Sequence, residues 1–292
     1  ELYVLEAKLH GGIIHPPCVN HSSWETKLYG QRIYLGFHLL LGFERKTTVQ
    51  ILTERYKNGP FNDFNDFLNR VVISLDQVST LIRIDVFKFT KKNKRTLLWE
   101  AHLRLGKVSS KTLREQKNNA TPDLFKIEQA EYEIPELENS IEEDIFDQIE
   151  LLGFPLHSAF SILREQDSNV YILARDLLQY KNKTVWVKGY LIHRKQTQTK
   201  GGKPMLFGTF LDETGHWIDT VHFPPIAKKY LFRGKGVYRI KGKVLEDYDC
   251  INIEVSYMEK MDVVEDPRYS DIQEAVKEND VVPKNRKVDY FK

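Results

Sequence analysis

Val185-Trp186-Val187-Lys188-Gly189-Tyr190-Leu191-Ile192 is a run of β-branched and aromatic residues, and it reads as a β-strand. A loop of Gln, Thr, Lys and Gly follows at residues 196–203, and residues 205–211 (Met-Leu-Phe-Gly-Thr-Phe-Leu) read as a second strand. Asp212-Glu213-Thr214-Gly215 is turn chemistry, with a glycine for a positive-φ position. Residues 217–223 form a third strand, and Pro224-Pro225 opens a short helix reaching Tyr230, because proline suits a first helical turn. Residues 236–244 and 250–257 are the fourth and fifth strands, joined by a tight turn at Glu246-Asp247-Tyr248-Asp249.

Three strands, a helix and two strands is the order of an OB-fold, a five-stranded barrel whose middle strands and flanking loops bind oligonucleotides. Strand alternation puts Met205, Phe207 and Thr209 on one face and Leu206 and Phe210 on the other, which is assigned to the barrel interior. Gripping an unpaired strand requires rings for stacking and cations for the backbone. Phe207 is the expected platform, and Thr209 shares its face; Trp217 fits either platform or core. His193, Arg194, Lys195, Lys200 and Lys203 are the expected phosphate partners. Asp247-Tyr248-Asp249 has the look of a metal-binding carboxylate pair, but no third carboxylate is evident, so no catalytic residue, metal or cofactor is assigned.

The 292 residues, 41% of them hydrophobic, suffice for two modest cores. A net charge of +2 makes any nucleic-acid footprint a local one. Two distant cysteines, Cys18 and Cys250, indicate no disulfide framework, and no apolar run is long enough for a membrane span. The first residue, Glu1, is not Met, and no signal-peptide pattern follows; a cytoplasmic segment of something larger is expected.

Residues 1–32 are read as an extended segment. Its His10, His15, Cys18 and His21 include ligand types for zinc, but the spacing lacks the paired cysteines of structural sites, and Pro16-Pro17 stiffens the middle. Residues 33–105 read as helical: a helix from Leu35 stopped at Gly42, another over 46–56, an aromatic stripe (Phe61, Phe64, Phe67, Leu68) after Gly59-Pro60, and helices over 75–84 and 95–105. Helix–short turn–helix units of this kind grip DNA backbones through turn amides and helix N-termini. Glu44 and Asp85 sit in the two turns and would repel a phosphate, so at least one hairpin is expected to be structural. Arg45, Lys46, Lys88, Lys91, Lys92, Lys94 and Arg95 form a basic rim that reads equally as a DNA-facing edge, with Arg45 and Lys46 as contacts, or as a solvated face. Residues 106–150 are a polar, then acidic, linker holding an isolated Asp123-Leu124-Phe125; residues 151–261 carry the barrel, entered from a helix over 145–152 capped by Gly153, and 262–292 are a charged tail.

Several pieces together resemble the C-terminal region of the alpha subunit of bacterial DNA polymerase III, the C-family replicative polymerase. Pro16-Pro17-Cys18-Val19-Asn20-His21-Ser22 is similar to the family's Pro-Pro-Asp-Val-Asn-Arg-Ser. Ile33-Tyr34-Leu35-Gly36, Gly59-Pro60-Phe61, Leu97-Leu98-Trp99-Glu100 and Leu151-Leu152-Gly153-Phe154 are similar to its helix-hairpin-helix region. Lys203-Pro204-Met205, Phe207, Phe210, Asp212, Thr214-Gly215 and Phe223-Pro224 are similar to its OB-fold. Gly42-Phe43-Glu44 and Ile84-Asp85-Val86-Phe87 look more like the error-prone alpha-like subclass used in damage-induced mutagenesis. Thr121-Pro122-Asp123-Leu124-Phe125 lies where the family has its sliding-clamp motif, with Thr121 in place of the usual glutamine.

The resemblance implies an α+β multidomain fold, a helix-hairpin-helix-like domain followed by the OB-fold, in a subunit that serves DNA replication, repair or translesion synthesis. The implied partners are single-stranded and duplex DNA, the sliding clamp and other mutagenesis-complex proteins, with no membrane. The parent family is a nucleotidyltransferase whose catalytic aspartates lie in a palm upstream of residue 1, so the segment alone is expected to be inactive. The alternatives are a protein-interaction scaffold without direct DNA contact and, less favoured without synthetase motifs, a tRNA-binding module.

Overall fold

The barrel follows from strand alternation. In the computed structural model, which describes residues 1–106, 140–164, 168–199, 201–247 and 250–269, five strands close in the order β4-β5-β6-β8-β7: β4 (Thr184–Gln198), β5 (Pro204–Leu211), β6 (Trp217–His222), β7 (Val237–Asp247) and β8 (Cys250–Lys260). All neighbours are antiparallel except β6 and β8, whose parallel pairing closes the cylinder. Val187, Phe210, Tyr238, Ile240, Val244 and Ile253 fill the interior. Burying such side chains contributes about 1.5–3 kcal/mol each. Phe210 lies inside as expected, and Leu206 packs against the same core from its edge.

The connection after β6 is a one-and-a-half-turn helix (Pro224–Lys229), opened by its two prolines and anchored by buried Ala227. The Asp212 turn is built as its residues suggest: the carboxylate accepts the amides of Ala174 (2.9 Å), Thr214 (2.9 Å) and His216 (2.9 Å), and Gly215 takes φ 85°. Burial pushes the Asp212 carboxyl up, but the hydrogen bonds from Ala174, His216 and Thr214 outweigh it and hold the group below its ordinary value.

The chain divides into two compact units, residues 11–156 and residues 1–10 with 157–292. The N-terminal residues differ from the extended path read from sequence. Helix α1 (Leu2–Leu9) clusters with the barrel, where Glu1 pairs with Lys235 and Leu9 lies against the Gly215 turn. In the other unit, β1 (Ile13–His15), β2 (Lys27–Tyr29) and β3 (Arg32–Tyr34) form a small sheet in the order β1-β3-β2.

The expected helix from Leu35 to Gly42 is also replaced. Only Phe37–Leu39 makes a single 3-10 turn, and Gly36 is so tightly held that a Cβ there would lie 2.4 Å from the Trp24 carbonyl oxygen. The other helices stand near their expected places: α2 (Arg45–Asn58), α3 (Phe64–Arg70), α4 (Leu75–Arg83) and α5 (Lys94–Leu105). Asp63, Ser74 and Asn93 cap the last three through side-chain hydrogen bonds to Asp66, Gln77 and Arg95 amides. Phe61, Phe64 and Phe67 are fully buried, as the stripe suggests, whereas Leu68 is only half-buried.

Two polar braces hold the N-terminal loop of this unit. Asn20 exchanges two hydrogen bonds with the Phe61 backbone (2.9 and 2.8 Å), and Arg55 donates to the carbonyls of Val19 (2.7 Å) and Ser22 (2.8 Å). Helix α6 (Ile141–Leu152) begins inside the stretch expected to be linker and belongs to this same unit. Its acidic residues face α4 and α5: Arg83 binds Asp147 (2.7 Å) and Glu150 (2.6 Å), Lys94 binds Asp144 (2.5 Å), and Arg95 binds Glu143 (2.5 Å).

Candidate nucleic-acid interface

Phe207 lies on the outside of the barrel with 39% of its surface exposed. The register sets its surroundings. Lys195 of β4 is directly across from Phe207, Val221 of β6 lies on the other side, and Glu254 of β8 is next. The neighbouring row is His193, Thr209, Asp219 and Asn252, with the Thr209 hydroxyl donating to Asp219 at 2.8 Å. The face therefore grades from cationic along β4 to anionic along β6 and β8, a polarity the single-strand alternation of β5 did not reveal. Trp217 is half-buried at the far end of β6.

The expected phosphate partners do not form one cluster. An irregularity between Leu191 and His193 inserts Ile192 and reverses the alternation of β4 beyond it. His193 and Lys195 consequently share the Phe207 face, while Arg194, paired with Gly208, lies with Lys203 on the opposite side of the β4–β5 hairpin. His193, Arg194, Lys195 and Lys203 are all exposed, and none makes an ion pair among the described residues. Lys200 lies outside the described residues, as do Thr121, Asp123, Leu124 and Phe125, the acidic run from Glu128 to Glu138, Tyr248, Asp249 and the tail beyond Tyr269.

Under the Phe207 face, His222 is fully buried beside Phe232. The Thr220 hydroxyl donates to the Gly208 carbonyl (2.9 Å), so at its 2.9 Å contact with His222 it must accept, which puts the imidazole proton on Nε2. Nδ1 has no partner. Burial lowers the His222 pKa to about 4, keeping the ring neutral.

In the helical unit, the first hairpin turn is already occupied. Gly42 has the expected positive φ of 73°, but Gln77 clasps the turn: its side chain accepts from the Glu44 amide and donates to the Gly42 carbonyl, both at 2.9 Å. Glu44 itself holds Lys46 at 2.7 Å, and Arg45 lies over the Trp24 ring at 5.3 Å. The second turn places Asp85 at φ 64° with its carboxylate 3.9 Å from Lys94. With Lys92 held by Glu100, and Lys94 and Arg95 by α6, much of the basic rim is neutralised; Lys88 and Lys91 stay exposed. The Gln77 clasp has no local signature, since the glutamine is 33 residues from Glu44.

The histidines of the N-terminal region have packing partners. His15 and His21 each stack on Tyr34, with ring centroids 4.6 Å apart, and Cys18 Sγ lies 3.4 Å from His21 Nδ1. His10 sits in the other unit beside Glu6. Among the described residues no group of three or more His, Cys, Asp or Glu side chains is arranged for a metal ion, and no helix is long and apolar enough to cross a membrane.

Residues 11–97 match a helix-hairpin-helix motif family. The chain is 25% identical over 281 residues to the DNA polymerase III subunit alpha of Staphylococcus epidermidis, covering 94% of this chain and 25% of that protein. It is 29% identical over 248 residues to the Staphylococcus aureus subunit, covering 82% of this chain and 22% of that one. Among solved structures, the second OB-fold domain of replication protein A from Methanococcus maripaludis aligns with 29% of this chain and 90% of its own, at 16% identity and a TM-score of 0.23. The chain spans about a quarter of the length of the curated relatives it matches. The chain combines a helix-hairpin-helix region with a closed five-stranded barrel, and over 94% of its length it is similar to the quarter of a bacterial DNA polymerase III alpha subunit that it matches.

Proposed function

We propose that the barrel holds single-stranded DNA in a cytoplasmic polymerase III alpha-type subunit of the error-prone subclass. The observation that carries this is the exposed Phe207 ring with unpaired Lys195 directly across from it. A base stacks on Phe207 while the phosphates run along the β4 side, past Lys195 and His193, because Asp219 and Glu254 repel them from the β6–β8 side. The helical unit lies near duplex DNA with weak contacts of its own, since the Glu44 amide is taken by Gln77 and the rim cations by carboxylates. Arg45, Lys88 and Lys91 are the residues left to touch a backbone.

Fluorescence anisotropy with oligo-dT, duplex DNA and tRNA across a salt series tests the assignment. Stacking on one ring contributes about 1–3 kcal/mol, so Phe207→Ala should weaken oligo-dT binding about tenfold or more. Equal affinity of the variant, or stronger binding to tRNA, defeats the reading. The sliding clamp is the proposed partner of Asp123-Leu124-Phe125; a peptide of residues 118–130 that fails to bind the cognate clamp by calorimetry removes it.

A further inference from the structure

The face of the β4–β5 hairpin opposite Phe207 forms a second surface. Beyond Leu191, whose amide still donates to the Gly236 carbonyl, β4 pairs with β5 alone among the described residues, so the hairpin overhangs the barrel. Between that face and the Pro224–Lys229 helix runs a groove of about 860 Å³. Its apolar floor includes Leu206, Pro225 and Leu231, the last 64% exposed, and Arg194, Lys203 and Lys228 line it. Among the described residues that line it there is no carboxylate and no aromatic ring, and none of the three cations makes an ion pair with another described residue.

A nucleobase would find no ring to stack on here, which is what single-strand grooves use for affinity. An aliphatic floor edged by unpaired cations instead complements a side chain of aliphatic character flanked by carboxylates. We propose that this groove docks an acidic peptide segment of a partner protein, seating one apolar side chain between Leu206 and Leu231 with its carboxylates on Arg194, Lys203 and Lys228. The site is on the far side of the hairpin from the Phe207 face, so a bound DNA strand and the peptide occupy the barrel together.

The test uses the full chain and a fluorescein-labelled peptide, Glu-Asp-Glu-Ile-Leu-Asp-Glu, with a version carrying Ser for Ile and Leu and a version carrying Lys for the acids. The first peptide should bind and both controls should fail. Leu231→Ser and Lys228→Glu, both at exposed positions, should each weaken it by about tenfold. Phe207→Ala and saturating oligo-dT should leave it unchanged. The proposal is overturned by no binding up to about 1 mM peptide, by equal binding of the serine control, or by displacement with oligo-dT. It is also overturned if the two groove variants weaken DNA while sparing the peptide. A Phe207→Ala variant with undiminished DNA affinity would end the single-strand assignment and leave the groove untouched.

Discussion

Replacing His222 with leucine should make the barrel less sensitive to acid. In the folded protein the ring is enclosed, donates from Nε2 to Thr220, and has a bare Nδ1 with no partner. A second proton would put a charge and an unanswered N–H into the core, which is why its pKa falls from 6.5 to about 4. In the unfolded chain the ring regains its ordinary value. Between these two values the unfolded state binds more protons than the folded one, so stability rises with pH across that window. The contribution is fully present above the unfolded value and is lost as pH falls toward the folded value. The shift of about 2.5 units corresponds to about 3 kcal/mol in total, of which about 2 kcal/mol is lost on going from about pH 7 to about pH 5. Urea unfolding read from the NMR peaks of β6 and β8 reports the barrel's own transition. The difference between the native chain and His222→Leu removes the carboxylates that titrate in both. At neutral pH the variant should be less stable by about 1 kcal/mol for the lost hydrogen bond, and the gap should close or reverse by about pH 5. Parallel pH dependences for the two proteins would refute the buried neutral ring.

Other perturbations test other links. Lys195→Gln should lower the slope of log affinity for oligo-dT against log salt by about 0.7, the share of one single-strand phosphate, while the same change at Lys235, already paired with Glu1, should not alter it. Gly36→Ala should destabilise the helical unit by about 3 kcal/mol or more in thermal denaturation, because the added Cβ meets the Trp24 and Glu25 backbone within 2.5 Å. Arg55→Met should cost about 2 kcal/mol by leaving the Val19 and Ser22 carbonyls without their charged donor, and should speed hydrogen exchange in the residue 18–22 loop.

The barrel was legible because its signal is local: alternating β-branched and aromatic residues, a two-proline helix start and an Asp-Glu-Thr-Gly turn each act within a few residues. The helices α2 to α5 were legible for the same reason, through the spacing of their apolar residues and the Gly59-Pro60 break, whereas the Asp63, Ser74 and Asn93 caps emerged only with the structure. What stayed hidden depends on partners distant in sequence. The three-stranded sheet uses three-residue strands too short for alternation to register. Leu35, His38, Leu39 and Leu41 mimic a helix, yet the close approach of Gly36 to Trp24 decides otherwise. Strand β4 runs on to Gln198 through polar residues because its backbone pairs with β5 rather than because its side chains are buried. The acidic start of α6 looked like linker for want of sight of Arg83, Lys94 and Arg95. Phe207 was found on its expected face, but the cations thought to surround it were split between two.

Strand alternation makes that split, and which cation faces which way is set by the extra residue Ile192 in β4. It works as a half-step phase change along the strand: residues before it keep odd numbers inside, and residues after it turn odd numbers outward. His-Arg-Lys is thus dealt alternately to two surfaces, so one hairpin presents an aromatic ring with a lysine on its front and an aliphatic floor with arginine behind. Pairing Ile192 in register instead of bulging it out would turn His193 and Lys195 inward and Arg194 outward without changing a single basic side chain, which makes the bulge, rather than residue chemistry, the variable to follow when relatives of this barrel are compared.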